Sequence, residues 1–327
     1  MTDNTTRDRT VEAPGPLDAL KRPRGRFDRG SDRLFRIGTA GCAVVVLLVL
    51  GLMIYFTTMR SLPVVQATGA SFVTSSDWLP SAGHLGTLSF VYGTLVTAAV
   101  AMVIAVPVSI GVALFLSELA PKRLRTPLAY LIDLLAAVPS VVYGLWGVLV
   151  LVPLLGNHVW GPVSEHSGGF PLFEGPATGR SYATAGIILA IMALPIITAI
   201  TREVIATVPV AHREAALALG ATRWEVIRLA VLPYARSGIT GAVMLGLGRA
   251  MGETIAVALV IGGSSTISAS LFHPGYTMAS VIANEFPEAT GDHINALIGI
   301  GVLLFALTLI VNVGARLLVW RTARKLR

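Results

Sequence analysis

The sequence predicts an all-α polytopic membrane protein with six transmembrane helices. Three observations lead there. Hydrophobic residues fill 54% of the 327 positions and charged residues only 13%, about half the share of a soluble domain. Fifteen of the charged residues crowd into positions 1–36, so the remainder is poorer still. Beyond that point six apolar stretches are long enough to cross a bilayer: 37–56, 90–115, 128–155, 183–201, 238–262 and 296–318. Lipid offers no partner to a free backbone group, and the stretches are too long for barrel strands, so each is expected as a helix.

The same composition excludes other classes. The glycines have no collagen period, and a single cysteine, Cys42, cannot staple a secreted fold. Thr39-Ala40-Gly41-Cys42 precedes its apolar run instead of following it, so it is not read as a lipidation site. Cys42 reads as a small buried hydrophobe. The net charge of +7 marks topology and calls for no nucleic acid. Of the 25 Lys and Arg, 22 lie in the N-terminal tail, between spans two and three, between spans four and five, and at the C-terminal end. Arg60 and Arg180 lie on the opposite side and Arg249 lies inside a span. That bias places both termini in the cytoplasm.

Element by element, residues 1–36 are expected as a basic cytoplasmic tail, broken by Pro14-Gly15-Pro16 and disordered; its Arg cluster is read first as a topology determinant only, the alternative being contact with anionic lipid headgroups. Span one has no small-residue cleavage site and reads as an uncleaved signal anchor. Residues 37–327 form the transmembrane domain. Its outer segments, 57–89, 156–182 and 263–295, are long enough to dock an external partner. Spans two, three and four each contain an interior proline, Pro107, Pro139 and Pro195. These free the carbonyls of Val103, Leu135 and Ile191. Ser140 and Tyr143 stand beside Pro139 as partners.

Span five carries Gly248-Arg249-Ala250-Met251-Gly252-Glu253-Thr254. Gly248 and Gly252 make a small-xxx-small pair suited to close backbone approach. Arg249 and Glu253 are four apart, so on a continuous helix they share a face. A mid-membrane charge costs roughly 2.5–3.5 kcal/mol on insertion scales, and such groups usually line a route. Arg249 is read as meeting an anion in a pathway, with Glu253 holding it and Ser140 and Thr254 beside it. The alternative is a buried ion pair that fixes helix register. Asp133, near the cytoplasmic end of span three, is expected to reach the interface or bond to a neighbour.

The cytoplasmic segment 202–236 is the most specific signal. Pro209 ends one helix, a second covers 211–219 and stops at Gly220, and a third begins at Thr222. Thr222-Arg223-Trp224-Glu225 has the form of a capping box. Trp224, Ile227, Leu229 and Val231 give an apolar side, and Pro233 is expected to close the helix. The result is a rigid knob for a soluble partner, or otherwise a helix pair lying on lipid.

Glu214-Ala215-Ala216, three residues, Gly220, nine residues, then Ala230-Val231-Leu232-Pro233 resembles the EAA signature of ABC-importer permeases. Ala230 replaces the usual Ile. Ala137–Gly144, Gly248–Thr254 and Pro274–Glu285 further resemble the phosphate-specific permeases of the PstC type. The likeness covers about residues 35–327. It implies a type I importer (MetI-like) core of five helices plus one N-terminal span, in the plasma (inner) membrane of a prokaryote. It also implies a homologous second permease, two ATPase subunits and an extracytoplasmic phosphate-binding protein as partners. Glu214, Ala215, Ala216, Gly220, Leu232 and Pro233 would then couple to the ATPase.

No Gly-x-x-x-x-Gly-Lys loop and no His or Cys cluster occurs, so no cofactor, metal or catalytic residue is expected on this chain. ATP-Mg belongs to the partner subunit. Sulfate or molybdate would suit the EAA segment equally, and the resemblance favours phosphate. A secondary transporter would need no docking segment and would show internal repeats. A membrane scaffold would leave Arg249 and Glu253 unexplained.

Overall fold

The computed structural model describes residues 26–166, 168–176 and 178–324. The chain divides into two compact units, one ending at Phe56 and the other running from Thr57 to Arg327.

Helix α1 spans Arg26–Thr68. It begins inside the segment expected as a disordered tail; the rest of that tail, residues 1–25, lies outside the described residues. Cys42 is exposed on it, contrary to the expectation of burial. On a span facing lipid, an apolar side chain needs no protein neighbour.

From Thr57 onward α1 continues to Thr68, and the chain then forms α2 (Ser71–Thr74) and a small hairpin, β1 (Trp78–Leu79) with β2 (His84–Leu85). The strands pair antiparallel, Trp78 opposite Leu85 and Leu79 opposite His84. Helix α3 follows over Leu88–Leu119, its last five residues in a wider π turn. Next come α4 (Lys122–Ala137), α5 (Ser140–His166), α6 (Tyr182–Ala206) and α7 (Val210–Ala218). Helix α8 covers 223–252, with a π turn at Ile227–Val231. Short α9 (Ile255–Val260) and α10 (Met278–Glu285) precede α11 (Asp292–Arg324).

Five helices among the described residues are long and apolar enough to cross a membrane: α1, α3, α5, α6 and α11. Two expected spans differ from their sequence reading. The third, 128–155, is broken at Val138-Pro139, where both residues are extended, and α5 then runs eleven residues past the expected end. The fifth, 238–262, starts earlier, ends at Gly252 and resumes at Ile255. Pro107 and Pro195 stay inside α3 and α6 as expected.

Helix α6 is the centre of the second unit. Of its most apolar window 67% is buried, against 22–28% for α3, α5 and α11. Ala101 and Ala105 of α3 and Ala242 and Ala250 of α8 join Ile188, Leu189 and Ile197 of α6 in one apolar cluster. These small residues let the helices approach closely, and shape rather than bulk holds them. Ser109 donates to the Leu194 carbonyl at 3.1 Å, tying α3 to α6 near Pro195. A second cluster, beside the small hairpin, joins Val64, Phe72, Phe90, Met278 and Leu297. There Glu285 accepts from Trp78 Nε1 and pairs with His293 Nε2, both at 2.9 Å, so one carboxylate links the hairpin, α10 and α11. A third cluster, Ala113, Ile205, Val208, Val226, Val231, Ala235 and Ile239, seats the segment that contains α7.

Candidate functional site

Two helix breaks lie side by side. Helices α5 and α9 pack together, and a Cβ at Gly144 would come within 2.9 Å of the Ala256 Cα and 2.7 Å of Leu259. Only glycine permits that approach. Gly144 is one turn past the start of α5 and Ala256 is one residue past the start of α9, so both breaks sit at a similar level.

At the first break, the Leu135 carbonyl freed by Pro139 accepts from the Tyr143 hydroxyl at 2.8 Å, as expected from the sequence. Ser140 opens α5 and is half-buried. At the second break, Glu253 leaves the helix with φ −70° and ψ 128°, and the Thr254 hydroxyl donates to the Gly252 carbonyl at 3.2 Å. The expected Arg249–Glu253 pair therefore does not form. The helix ends before Glu253, so spacing of four no longer places the two on one face. Arg249 instead lies within Coulombic reach of Tyr143. Its Nε is buried without a hydrogen-bond partner. The close approach expected at Gly248 and Gly252 is also absent: a Cβ at either would meet nothing within 4 Å. Asp133 has the neighbour expected of it, Arg202 at 3.8 Å.

The segment 202–236 follows the sequence closely at its turns. Pro209 caps α7, and Gly220 ends the segment's first half with φ +84°, a conformation L side chains rarely adopt. Thr222 and Glu225 form the capping box: the Glu225 carboxylate accepts from the Thr222 N–H at 2.7 Å and hydroxyl at 2.8 Å. Those backbone and side-chain bonds hold the Glu225 carboxyl below the usual carboxylate range. Two expectations fail. Pro233 does not close the helix, because the wide turn at Ile227–Val231 relieves the clash of its ring with a carbonyl one turn back. The apolar side also splits. Ile227 and Val231 are buried, with Val226, whereas Trp224 and Leu229 are more than 60% exposed.

Glu214, Ala215, Gly220 and Pro233 are exposed, and Ala216 and Leu232 are half-buried against the third cluster. Leu217, Leu219 and Trp224 add exposed apolar surface to the same segment. The residue before Glu214 was not singled out by its sequence. Arg213 donates to Glu118 at 2.9 and 3.2 Å, to the Val208 carbonyl at 2.7 Å and to the Ile205 carbonyl at 3.0 Å. Its partner is 95 positions away, so no local pattern marks the pair.

Residues 105–324 match the family described as binding-protein-dependent transport system inner membrane component. Several relatives are phosphate transport system permease proteins PstC. That of Xylella fastidiosa is 49% identical over 264 residues, covering 80% of this chain and 82% of the relative. That of Mesorhizobium japonicum is 44% identical over 296 residues, covering 89% and 90%. A probable one from Methanocaldococcus jannaschii is 38% identical, covering 85% and 90%. Among solved structures, a chain of a bacterial alginate ABC transporter, crystallised with its alginate-bound periplasmic protein, aligns with TM-score 0.62 and 15% identity over 91% of this chain and 99% of that one. A chain of the inward-facing MetNI methionine ABC transporter aligns with TM-score 0.54 and 16% identity over 73% and 95%. At such identity these two establish the fold.

Proposed function

The chain belongs to the binding-protein-dependent inner membrane transport components, among the phosphate permeases of the PstC family, and from that premise we propose that it is a permease subunit of an ATP-driven importer of inorganic phosphate. The observation that carries this reading is the identity of 38–49% with phosphate permeases over 80–89% of the chain. The chain is a transport subunit and not an enzyme. ATP-Mg is held and hydrolysed by a partner, and no cofactor or metal is bound here. Both termini are cytoplasmic.

The breaks in α5 and α9 form this subunit's part of the pathway. Arg249 supplies the positive charge, and its unpartnered Nε supports the role, since a buried donor left unmet favours an acceptor in transit. The start of α5 at Ser140 has no side-chain cap, so its first backbone N–H groups add positive potential, and Thr254 adds a hydroxyl. Glu253 tempers the charge instead of pairing directly, so the anion is held weakly enough to leave. The open face at Gly248 and Gly252 supports packing against the homologous second permease. The outer segments receive the phosphate-binding protein. The exposed Glu214–Gly220 surface docks the ATPase, whose closure on ATP moves the core.

The test is uptake of labelled phosphate, with sulfate as comparator, by phosphate-starved cells lacking redundant systems, with and without this gene. Loss of phosphate uptake alone is expected. Loss of sulfate uptake with phosphate uptake intact would overturn the substrate.

A further inference from the structure

We propose that Glu118 and Arg213 form a positioning pair that transmits movement of the docking segment to the ends of α3 and α6. The proposal rests on the reading that 210–220 docks an ATPase. Helix α7 has nine residues, too few to be stable alone in water. It also buries little: Val210, Leu217 and Leu219 are exposed, and only Ala216 reaches the third cluster. Ala216 and an edge-on ring contact of His212 with Tyr234 tie it to the third cluster and α8, and one guanidinium ties it to α3 and α6. Arg213 bridges three places at once: Glu118 near the end of α3, the Ile205 carbonyl in the last turn of α6, and the Val208 carbonyl just beyond. The α6 carbonyls are the negative end of a helix dipole, which suits a cation. The Arg213 and Glu118 side chains are only 21% and 16% exposed, so the pair is shielded from full solvent screening.

The surroundings single the pair out as a strut. Two cavities flank it, of about 290 Å³ toward Leu217 and Arg223 and about 460 Å³ toward Arg125 and Arg202, and both are lined by Glu118 and Arg213. The link from α7 to α3 and α6 thus crosses loosely filled space on both of these sides. A push on α7 passes through Arg213 to α3 and α6, which pack along their length and lead to the level of the breaks. Lysine cannot replace Arg213 here, because a single ammonium lacks the fork that reaches three partners.

The experiment uses the complete complex, both permeases with the ATPase subunits, in proteoliposomes with the phosphate-binding protein. Glu118→Gln, Glu118→Asp and Arg213→Lys are compared for copurification, for ATP hydrolysis with and without loaded binding protein, and for phosphate moved per ATP. In Glu118→Gln we expect normal copurification and unstimulated hydrolysis, with stimulation by loaded binding protein reduced roughly 5- to 20-fold, the lower end of a typical coupling between sites. Glu118→Asp should regain most of it. Unchanged stimulation and unchanged phosphate per ATP in Glu118→Gln would overturn the proposal. If that variant fails to assemble, Arg213→Lys is read by the same ratio, and a wild-type ratio there overturns it equally. A photo-crosslinker at Glu214 in the otherwise wild-type complex separates the premise: no crosslink to the ATPase subunit would sink the docking reading, independently of the strut.

Discussion

The segment 202–236, proposed to dock the ATPase, and the paired breaks treat polar groups in opposite ways. In the segment, Arg213 makes four hydrogen bonds and Thr222 and Glu225 satisfy each other. At the breaks, Arg249 Nε has no hydrogen-bond partner and Glu253 stands away from it. A surface that meets a lasting partner gains from being rigid before contact, since ordering costs are then already met. A site that must release its cargo gains from donors that are held in place and left unfilled. Unmet buried hydroxyls also occur at Ser89, Ser117, Tyr182 and Thr201, so the contrast between the two regions rests on their charged groups: the Arg213 guanidinium is filled and Arg249 Nε is not.

The sharpest way to break this contrast is Arg249→Gln. It should lower phosphate transport by the complex about 10- to 100-fold, as expected for loss of a hydrogen bond to a charged group worth about 1.5–3 kcal/mol. Copurification with the ATPase should be unchanged. The check is labelled phosphate uptake into proteoliposomes at matched subunit content, and normal uptake would remove Arg249 from the pathway. Next in size is Gly144→Val. With a Cβ already 2.7–2.9 Å from Leu259 and Ala256, the larger side chain must push α5 from α9, a packing cost of about 1–3 kcal/mol. Thermal inactivation of transport should come at lower temperature than in the wild-type complex. An unchanged midpoint would mean that the two breaks move apart freely.

Gly220→Ala probes the other region. An L residue forced to φ +84° costs roughly 1–2 kcal/mol, and the turn that presents Glu214 should loosen. ATPase subunit retained through purification should fall several-fold, while phosphate uptake per retained ATPase stays constant. A fall in uptake per ATPase as well would mean that the turn shapes the pathway and not only the docking face.

The two regions were also unequally legible. Pro209, Gly220 and the Thr222–Glu225 box lie where the sequence places them, because caps and turns are set by residues within four positions of each other. The breaks obey no such local rule. Pro139 is visible, but whether it kinks or severs a helix depends on the carbonyl it frees and the helix it meets, here Tyr143 and α9. Nothing at Glu253-Thr254 forbids helix, so the sequence predicts a continuous helix and, with it, the Arg249–Glu253 pair. The route of α8 through Pro233 depends on a π turn that no residue type announces. The Arg213–Glu118 pair joins residues 95 apart and belongs wholly to the tertiary fold.

The smallest effect tests whether the docking segment's rigidity is local. Thr222→Ala removes the cap and should cost about 1 kcal/mol of local stability. Amide protection over 223–226, measured by hydrogen exchange in the assembled complex, should drop, with little change in transport. The same box gives a pH dependence with a definite sign. The Glu225 carboxyl is held below its usual range by the Thr222 backbone and side chain, so its folded pKa lies under the unfolded one. The unfolded segment then binds the proton more readily. The box's contribution is complete above the ordinary carboxylate range and is lost as pH falls through the lowered folded value. Protection factors at 223–226 should therefore fall on acidification in the wild type and stay flat in Glu225→Gln. If both fall together, the segment is held by the protein around it, and its order is not its own.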